Sequence, residues 1–154
     1  MAKLYLGLGS NIGDRRKNIT DATLLCGTLI GTLEQLSSLY DTEPWGFDSP
    51  NRFLNAAIRL DTDKEPGLCL AMVKAIEQEM GRVYPATTGY ADRIIDIDIL
   101  LYDDLVIAEE KLIIPHPFMA DREFVLMPLV EIAPELKHPV TGIPIKELLY
   151  LIRN

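Results

Sequence analysis

One stretch of the chain limits the possible folds more than any other. In Ile94-Ile95-Asp96-Ile97-Asp98-Ile99, apolar and acidic residues alternate. A strand accommodates this because successive side chains leave opposite faces, whereas a helix would scatter the aspartates around its axis. The pattern predicts a strand over 93–102 with Ile95, Ile97 and Ile99 in a core and Asp96 and Asp98 together on the other face. Aspartate is a poor strand former and neighbouring anions repel. Such a face is unfavourable unless a cation lies between the carboxylates or water screens them, and the bland alternative is a half-buried strand that merely touches solvent.

The remaining elements fall into order around this strand. Residues 3–8 read as a strand, and a tight loop then leads to a helix with apolar positions at Ile19, Ala22, Leu25 and Leu29. Residues 32–41 and 52–61 read as two strands joined by a Pro- and Gly-containing loop, 42–51. Glu65-Pro66 opens the clearest helix and Gly81 closes it, with Leu68, Met72, Ala75, Ile76 and Met80 along one face. An irregular stretch, 82–92, precedes the acidic strand, which turns at Asp103-Asp104 toward a short partner over 105–107. Two helices are predicted near 118–132 and 144–152. The order strand, helix, strand, strand, helix, strand is that of a ferredoxin-like split βαβ sandwich. This is an α+β fold with an antiparallel sheet, helices mainly on one face and a C-terminal helical extension. The face without helices is a place for a ligand.

At 154 residues the chain has the size of one domain, taken as 1–154. Cys26 and Cys69 lie in predicted helices without metal-ligand spacing, and no run approaches the roughly 18 apolar residues of a membrane span. Neither a secretory leader nor a disulfide framework is expected, and a cytoplasmic location fits. A formal charge of −8 argues against a nucleic-acid binder, whose affinity comes from clustered Lys and Arg. It leaves room for a nucleotide substrate, because a metal ion and two arginines create a local positive field on an acidic surface.

Asp96 and Asp98 have the oxygen chemistry that suits Mg²⁺, which takes one or two carboxylates and completes its shell with water and phosphate oxygens. Arg93 lies three residues before Asp96, and Arg82 ends the preceding helix. Metal and guanidinium charge together are what phosphoryl transfer requires, since the charge on the transferring group is stabilised mainly by electrostatics and positioning. Tyr40, Trp45, Phe47, Phe53 and Asn55 surround the 42–51 loop, offering flat apolar surfaces and an amide able to pair with a heteroaromatic edge. His116 and Arg122 are further candidates for phosphate contacts. The Gly7-Leu8-Gly9-Ser10-Asn11-Ile12-Gly13 loop has GxGxxxG spacing, one residue longer than a dinucleotide fingerprint. It reads as a structural turn with Asn11 lining a site.

Taken together, the blocks Leu8-Gly9-Ser10-Asn11, Phe53-Leu54-Asn55-Ala56-Ala57, Gly81-Arg82-Val83, Arg93-Ile94-Ile95-Asp96-Ile97-Asp98-Ile99-Leu100, Pro115-His116-Pro117 with Arg122 and Phe124, and Ile132-Ala133-Pro134 resemble the 6-hydroxymethyl-7,8-dihydropterin pyrophosphokinase family. The resemblance covers about residues 5–139. It implies transfer of the ATP diphosphate to the pterin hydroxymethyl group in folate biosynthesis, with release of AMP. It further implies two Mg²⁺ ions on Asp96 and Asp98, with Arg82 and Arg93 on the phosphates. By the same likeness Thr42, Glu43, Trp45, Asn55, Phe53 and Phe124 bind the pterin, the two phenylalanines sandwiching its ring. Glu77, Tyr90, Ile99, Lys111, Ile113, His116 and Arg122 bind ATP. Segments 43–51 and 82–93 are expected to be lids, and a monomer is expected. Between the two arginines, Tyr84, Pro85, Thr87, Thr88, Gly89 and Tyr90 replace the extra basic residues and tryptophan of many members, so Arg93 should contribute more of the rate than Arg82.

Two readings compete with this one. A non-catalytic ferredoxin-like binding domain explains the fold order but leaves Asp96, Asp98 and Arg93 without a purpose. A dehydrogenase built on the Gly7 loop lacks the parallel strands that such a site needs.

Overall fold

The computed structural model describes residues 1–82 and 92–154. In chain order its elements are β1 (Ala2–Ser10), α1 (Arg15–Leu29), β2 (Thr32–Leu36), β3 (Tyr40–Thr42), β4 (Phe53–Thr62), α2 (Pro66–Glu79), β5 (Asp96–Tyr102), β6 (Ile107–Ala108), β7 (Ile113–Ile114), a 3-10 turn (Met119–Asp121), α3 (Glu123–Ile132) and α4 (Ile145–Arg153). The main sheet has the order β2-β4-β1-β5, with β3 also on β4, and all of these pairings are antiparallel. Among the described residues, no helix is long and apolar enough to cross a membrane.

The first face of the sheet carries α1 and α2. Leu4, Leu6 and Leu8 of β1, Leu54, Ala56, Ile58 and Leu60 of β4, and Ile95, Ile97 and Ile99 pack there against Ile19, Ala22 and Cys26 of α1 and Cys69, Val73 and Ile76 of α2. Asp14 caps α1 by accepting from the Lys17 N–H at 3.1 Å. Pro66 opens α2 at its first turn, where the missing N–H costs nothing. The core faces of both helices differ slightly from expectation. Leu29 and Leu68 are exposed, and Ile30, Cys69 and Val73 take the buried positions. Both misplacements follow from reading a broad apolar stripe in which several residues compete for a narrow contact.

The second face is not free of helices. Tyr5, Ala57, Leu100 and Leu101 pack with Met119, with Val125, Leu126 and Leu129 of α3, and with Ile145 and Leu148 of α4. Among the described residues, this leaves the Gly7 to Asp98 end of that face to line a pocket. A bulge produces the mixed allegiance of β5: Leu6 pairs with Ile99 but Tyr5 pairs with Leu101, so Leu100 is an extra residue and the alternation reverses. Tyr102 consequently returns to the first core.

Three further expectations are corrected. The predicted 32–41 strand is broken into β2 and β3, because Ser37 bonds Ala57 through both backbone and hydroxyl and Ser38 donates to the Glu131 carboxylate. The 105–107 segment does not fold back on β5. Asp103, at φ 49°, exchanges bonds with Lys3, and β6 pairs with β7 instead. The outer edge of β5 is met by His116, whose N–H donates to the Leu100 carbonyl at 3.0 Å. Finally, the 118–132 helix is interrupted at Arg122, which is extended (φ −116°, ψ 105°) and divides the 3-10 turn from α3.

Candidate active site

β1 and β5 lie side by side, and their register places Gly9 opposite Asp96 and Gly7 opposite Asp98. The glycines leave the sheet bare next to the carboxylates, forming the floor of a pocket. Its walls are Thr42, Glu43, Trp45, Phe47, Phe53, Asn55, Arg93, Leu100, Arg122, Phe124 and Val125, and it holds about 630 Å³ counted to its open mouth. A Cβ on Gly9 would lie 3.1 Å from Asn55 Oδ1 and 3.5 Å from the Phe53 ring. The first approach is tight enough to displace the Asn55 amide, and the second is ordinary contact. Asn55 is itself fixed, its Nδ2 donating to Thr42 Oγ1 at 2.6 Å. The amide that faces the pocket is therefore oriented before any ligand arrives.

The two aspartates have different surroundings. Asp96 lies between the two arginines: Arg82 Nη1 is 3.0 Å from its Oδ1 and Arg93 Nη1 is 3.3 Å from its Oδ2. The Asp98 carboxyl is pushed well above the usual carboxylate range by loss of water, then by the charges of Asp96 and Glu77, with Arg122 opposing. A carboxylate raised in this way is one that a divalent cation would stabilise. Among the described residues no cluster of three metal-ligating side chains forms, and two carboxylates are what Mg²⁺ needs when water and phosphates supply the rest of its shell.

Behind β5, the fully buried Glu77 accepts the Ile97 N–H at 2.9 Å and pairs with Arg82 through its other contact on the same oxygen. Its carboxylate thus braces the strand and holds Arg82 toward Asp96. Arg122 is 6% exposed and stacks on three rings, 4.2 Å from the centroid of Trp45, 5.0 Å from Phe118 and 5.6 Å from Phe124. Such a planar, weakly hydrated cation tolerates aromatic cover. The His116 imidazole is lowered to about 4 by burial and by the Arg122 charge, so it is neutral at pH 7. Its Nδ1 accepts the Phe118 N–H at 3.3 Å. The proton is therefore on Nε2, which is available as a donor.

Of the residues singled out in the sequence, Thr42, Glu43, Trp45, Phe53, Asn55, Arg93, Asp96, Asp98, Arg122 and Phe124 line one pocket. Arg82 joins it through Asp96. Ile99 turns its side chain into the first core, leaving only its backbone for a ligand, and Lys111 and Ile113 are exposed near β6 and β7. Tyr90 and most of the 82–93 segment lie outside the described residues. Phe47, marked in the sequence among the aromatics of the 42–51 loop, also lines the pocket, whereas Gly7 and Gly9 were missed as pocket residues. The signal for the glycines was present in their period-two spacing, although their partners across the sheet were not legible.

Residues 5–134 match the profile of the 7,8-dihydro-6-hydroxymethylpterin-pyrophosphokinase (HPPK) family. The chain belongs to this family. It is 46% identical over 146 residues to a 2-amino-4-hydroxy-6-hydroxymethyldihydropteridine pyrophosphokinase of Porphyromonas gingivalis, covering 94% of this chain and 99% of that one. With the enzyme of the same name from Aquifex aeolicus it shares 42% over 147 residues, 96% of this chain and 90% of that one. In three dimensions it superimposes on the crystal structure of wild-type Plasmodium falciparum HPPK-DHPS with a TM-score of 0.78 at 19% identity, over 97% of this chain and 44% of that chain. This chain thus spans less than half the length of that HPPK-DHPS chain, and the likeness there concerns the fold.

Proposed function

We propose that this pyrophosphokinase, acting in folate biosynthesis, binds 6-hydroxymethyl-7,8-dihydropterin in the aromatic pocket and the ATP phosphates above Asp96 and Asp98. The hydroxymethyl oxygen attacks the β-phosphorus, the bond from that phosphorus to the α-phosphate oxygen breaks, and AMP leaves as the hydroxyl proton is lost. The observation that carries this reading is the pair of carboxylates on a glycine floor, flanked by two arginines and opening directly into an aromatic pocket.

Phe53 and Phe124 provide flat faces for the pterin ring, while Asn55 and the 42–45 backbone read its polar edge. Asp96 and Asp98 hold two Mg²⁺ ions, which when bound supply Lewis-acid charge to the phosphates and lower the pKa of the attacking hydroxyl. Arg82 and Arg93 then exchange Asp96 for phosphate oxygens, Arg93 carrying the larger share of the rate. Arg122 and the Nε2 proton of His116 contact the phosphates as well, and Glu77, expected to bind ATP, is fully buried and acts from behind instead, by fixing Arg82 and Ile97. Lys111, Ile113 and the Ile99 backbone offer the adenosine end of ATP a place along the outer edge of β5, and Tyr90, which lies outside the described residues, is the further residue assigned to ATP. Segments 43–51 and 82–93 close over both substrates and exclude water, which strengthens the electrostatics. We read the β2-β4-β1-β5 order as a ferredoxin-like sandwich, residues 1–154 as one domain, and the enzyme as a cytoplasmic monomer.

The test is AMP release from ATP with the reduced hydroxymethylpterin and Mg²⁺. Release should require all three components. AMP formation at the same rate without pterin would overturn the reading.

A further inference from the structure

Asp92 stands between the described end of the 82–93 segment and β5, and its carboxylate gathers donors from two other parts of the chain. Oδ1 accepts from Asn11 Nδ2 at 2.7 Å and from Ser49 Oγ at 2.7 Å, and Oδ2 accepts from Asn51 Nδ2 at 2.8 Å. Ser49 Oγ in turn accepts the Asn51 N–H at 3.1 Å. Asn11, 3% exposed, carries the network inward. Its Oδ1 accepts the Arg93 N–H at 2.7 Å, its own N–H donates to the Arg93 carbonyl at 3.1 Å, and its Nδ2 is 3.3 Å from the Asn51 carbonyl. Every donor to the Asp92 carboxylate in this set is neutral, and a hydrogen bond to an ionised acceptor is the stronger kind. The Ser49 hydroxyl first, then the Asn11 and Asn51 amides and the Arg93 charge, hold the carboxyl below its usual range.

The consequence lies at the two ends of the network. Ser49 and Asn51 end the loop that bears Trp45 and Phe47, both walls of the pocket. Asn11 and Asp92 adjoin Arg93, whose guanidinium pairs with Asp96 and lies 5.9 Å from the centre of the Phe53 ring. We infer that Asp92 is a positioning residue that latches the 43–51 loop to the start of β5, so that the aromatic wall of the pocket and the Arg93 guanidinium are set in one register. The role toward substrate rests on the pterin reading above. The latch itself does not. Without the carboxylate, the Ser49 hydroxyl and the Asn51 amide turn to water, and the loop keeps the longer contact of Asn11 Nδ2 with the Asn51 carbonyl at 3.3 Å in place of the charged bonds.

Trp45 is the single tryptophan of the chain and sits in the latched loop, so its fluorescence reports the latch directly. The experiment compares acrylamide quenching of Trp45 in the ligand-free protein with AMP-release kinetics, for Asp92→Ala, for the Ser49→Ala/Asn51→Ala double variant and for the triple variant. Asp92→Ala should increase the quenching and raise KM for the pterin about tenfold, the equivalent of one charged hydrogen bond, with a smaller change in kcat. The double variant should do the same. The triple variant should add nothing to either, because all three side chains act through one network. Unchanged Trp45 quenching in Asp92→Ala, or additive effects in the triple variant, would overturn the latch. Looser quenching with an unchanged pterin KM would overturn its positioning role. A wild-type protein that released no AMP would count against the pterin reading, and the quenching data would still decide the latch. Should Asp92→Ala fold poorly, the double variant tests the same contacts from the loop side.

Discussion

The two faces of the central sheet are built from the same strands and obey opposite rules. On the α1–α2 face, Leu4, Leu6, Ile58, Leu60 and Ile95 are all 0% exposed, and the stabilisation comes from apolar area removed from water. On the other face, β1 contributes Gly7 and Gly9 where a core would have placed large side chains, and β5 contributes two repelling carboxylates. The difference teaches that the first face stabilises along its whole length, while the second does so beneath α3 and α4 and stores unfavourable charge at its Gly7 to Asp98 end for use with a ligand. Proteins commonly give up stability at such sites.

The sharpest way to break the comparison is to neutralise the pocket face. Asp98→Asn should lower kcat by about a thousandfold, the scale seen when a main electrostatic group is removed. Its thermal midpoint should be equal to or above that of the wild type, because a desolvated, repelled carboxylate has gone. A fall in midpoint together with a mild kinetic effect would mean that Asp98 is structural. The mirror experiment is Leu60→Ala, in the core of β4 and away from the pocket. It should cost about 3 kcal/mol of stability in denaturant unfolding while kcat and KM per folded molecule stay at wild-type values. Altered kinetics there would show that the two faces are not separable.

A finer probe is Gly9→Ala. Its Cβ would meet Asn55 and Phe53, so KM for the pterin should rise about tenfold, with little change for ATP. An unchanged pterin KM would remove Gly9 from the pocket floor. The smallest effect concerns the edge of the second face, where Glu131 of α3 accepts from the Ser38 N–H and hydroxyl and from the Tyr40 hydroxyl at 2.5 Å. The Tyr40 bond first, and the Ser38 bonds after it, lower the Glu131 carboxyl, while Tyr40 is raised to about 12. A carboxyl lowered on folding stabilises above its unfolded value of 4.5 and ceases to do so as pH falls through its folded value. Glu131→Gln should therefore lower the thermal midpoint by about 2 °C at pH 7, with the gap to wild type closing below pH 4.5. A gap that persisted in acid would assign the loss to packing instead of charge.

Local patterns made much of this molecule legible. Alternation over 94–99 placed Asp96 and Asp98 on one face, Pro66 and Gly81 bracketed α2, and the aromatic cluster around 45–53 marked a wall of the pocket. These depend only on the period of a strand or helix and on the backbone limits of proline and glycine, and both act within a few residues. Other features needed the chain to be folded. The bulge at Leu100, the break between β2 and β3 and the extended Arg122 each arise where a distant partner, Tyr5, Ala57 and Glu131, or the rings of Trp45, Phe118 and Phe124, outweighs local preference.

The primary structure alone determined that two carboxylates must stand together on a sheet, since the side-chain period of a strand permits nothing else. Tertiary structure alone decided what stands beside them. Pairing between β1 and β5 brought Gly7 and Gly9 opposite the aspartates, and the fold carried Asn11, Ser49 and Asn51 to Asp92 across separations of 81, 43 and 41 residues. Contacts of that kind are set by the register and packing of whole elements, on which no local run of residues bears.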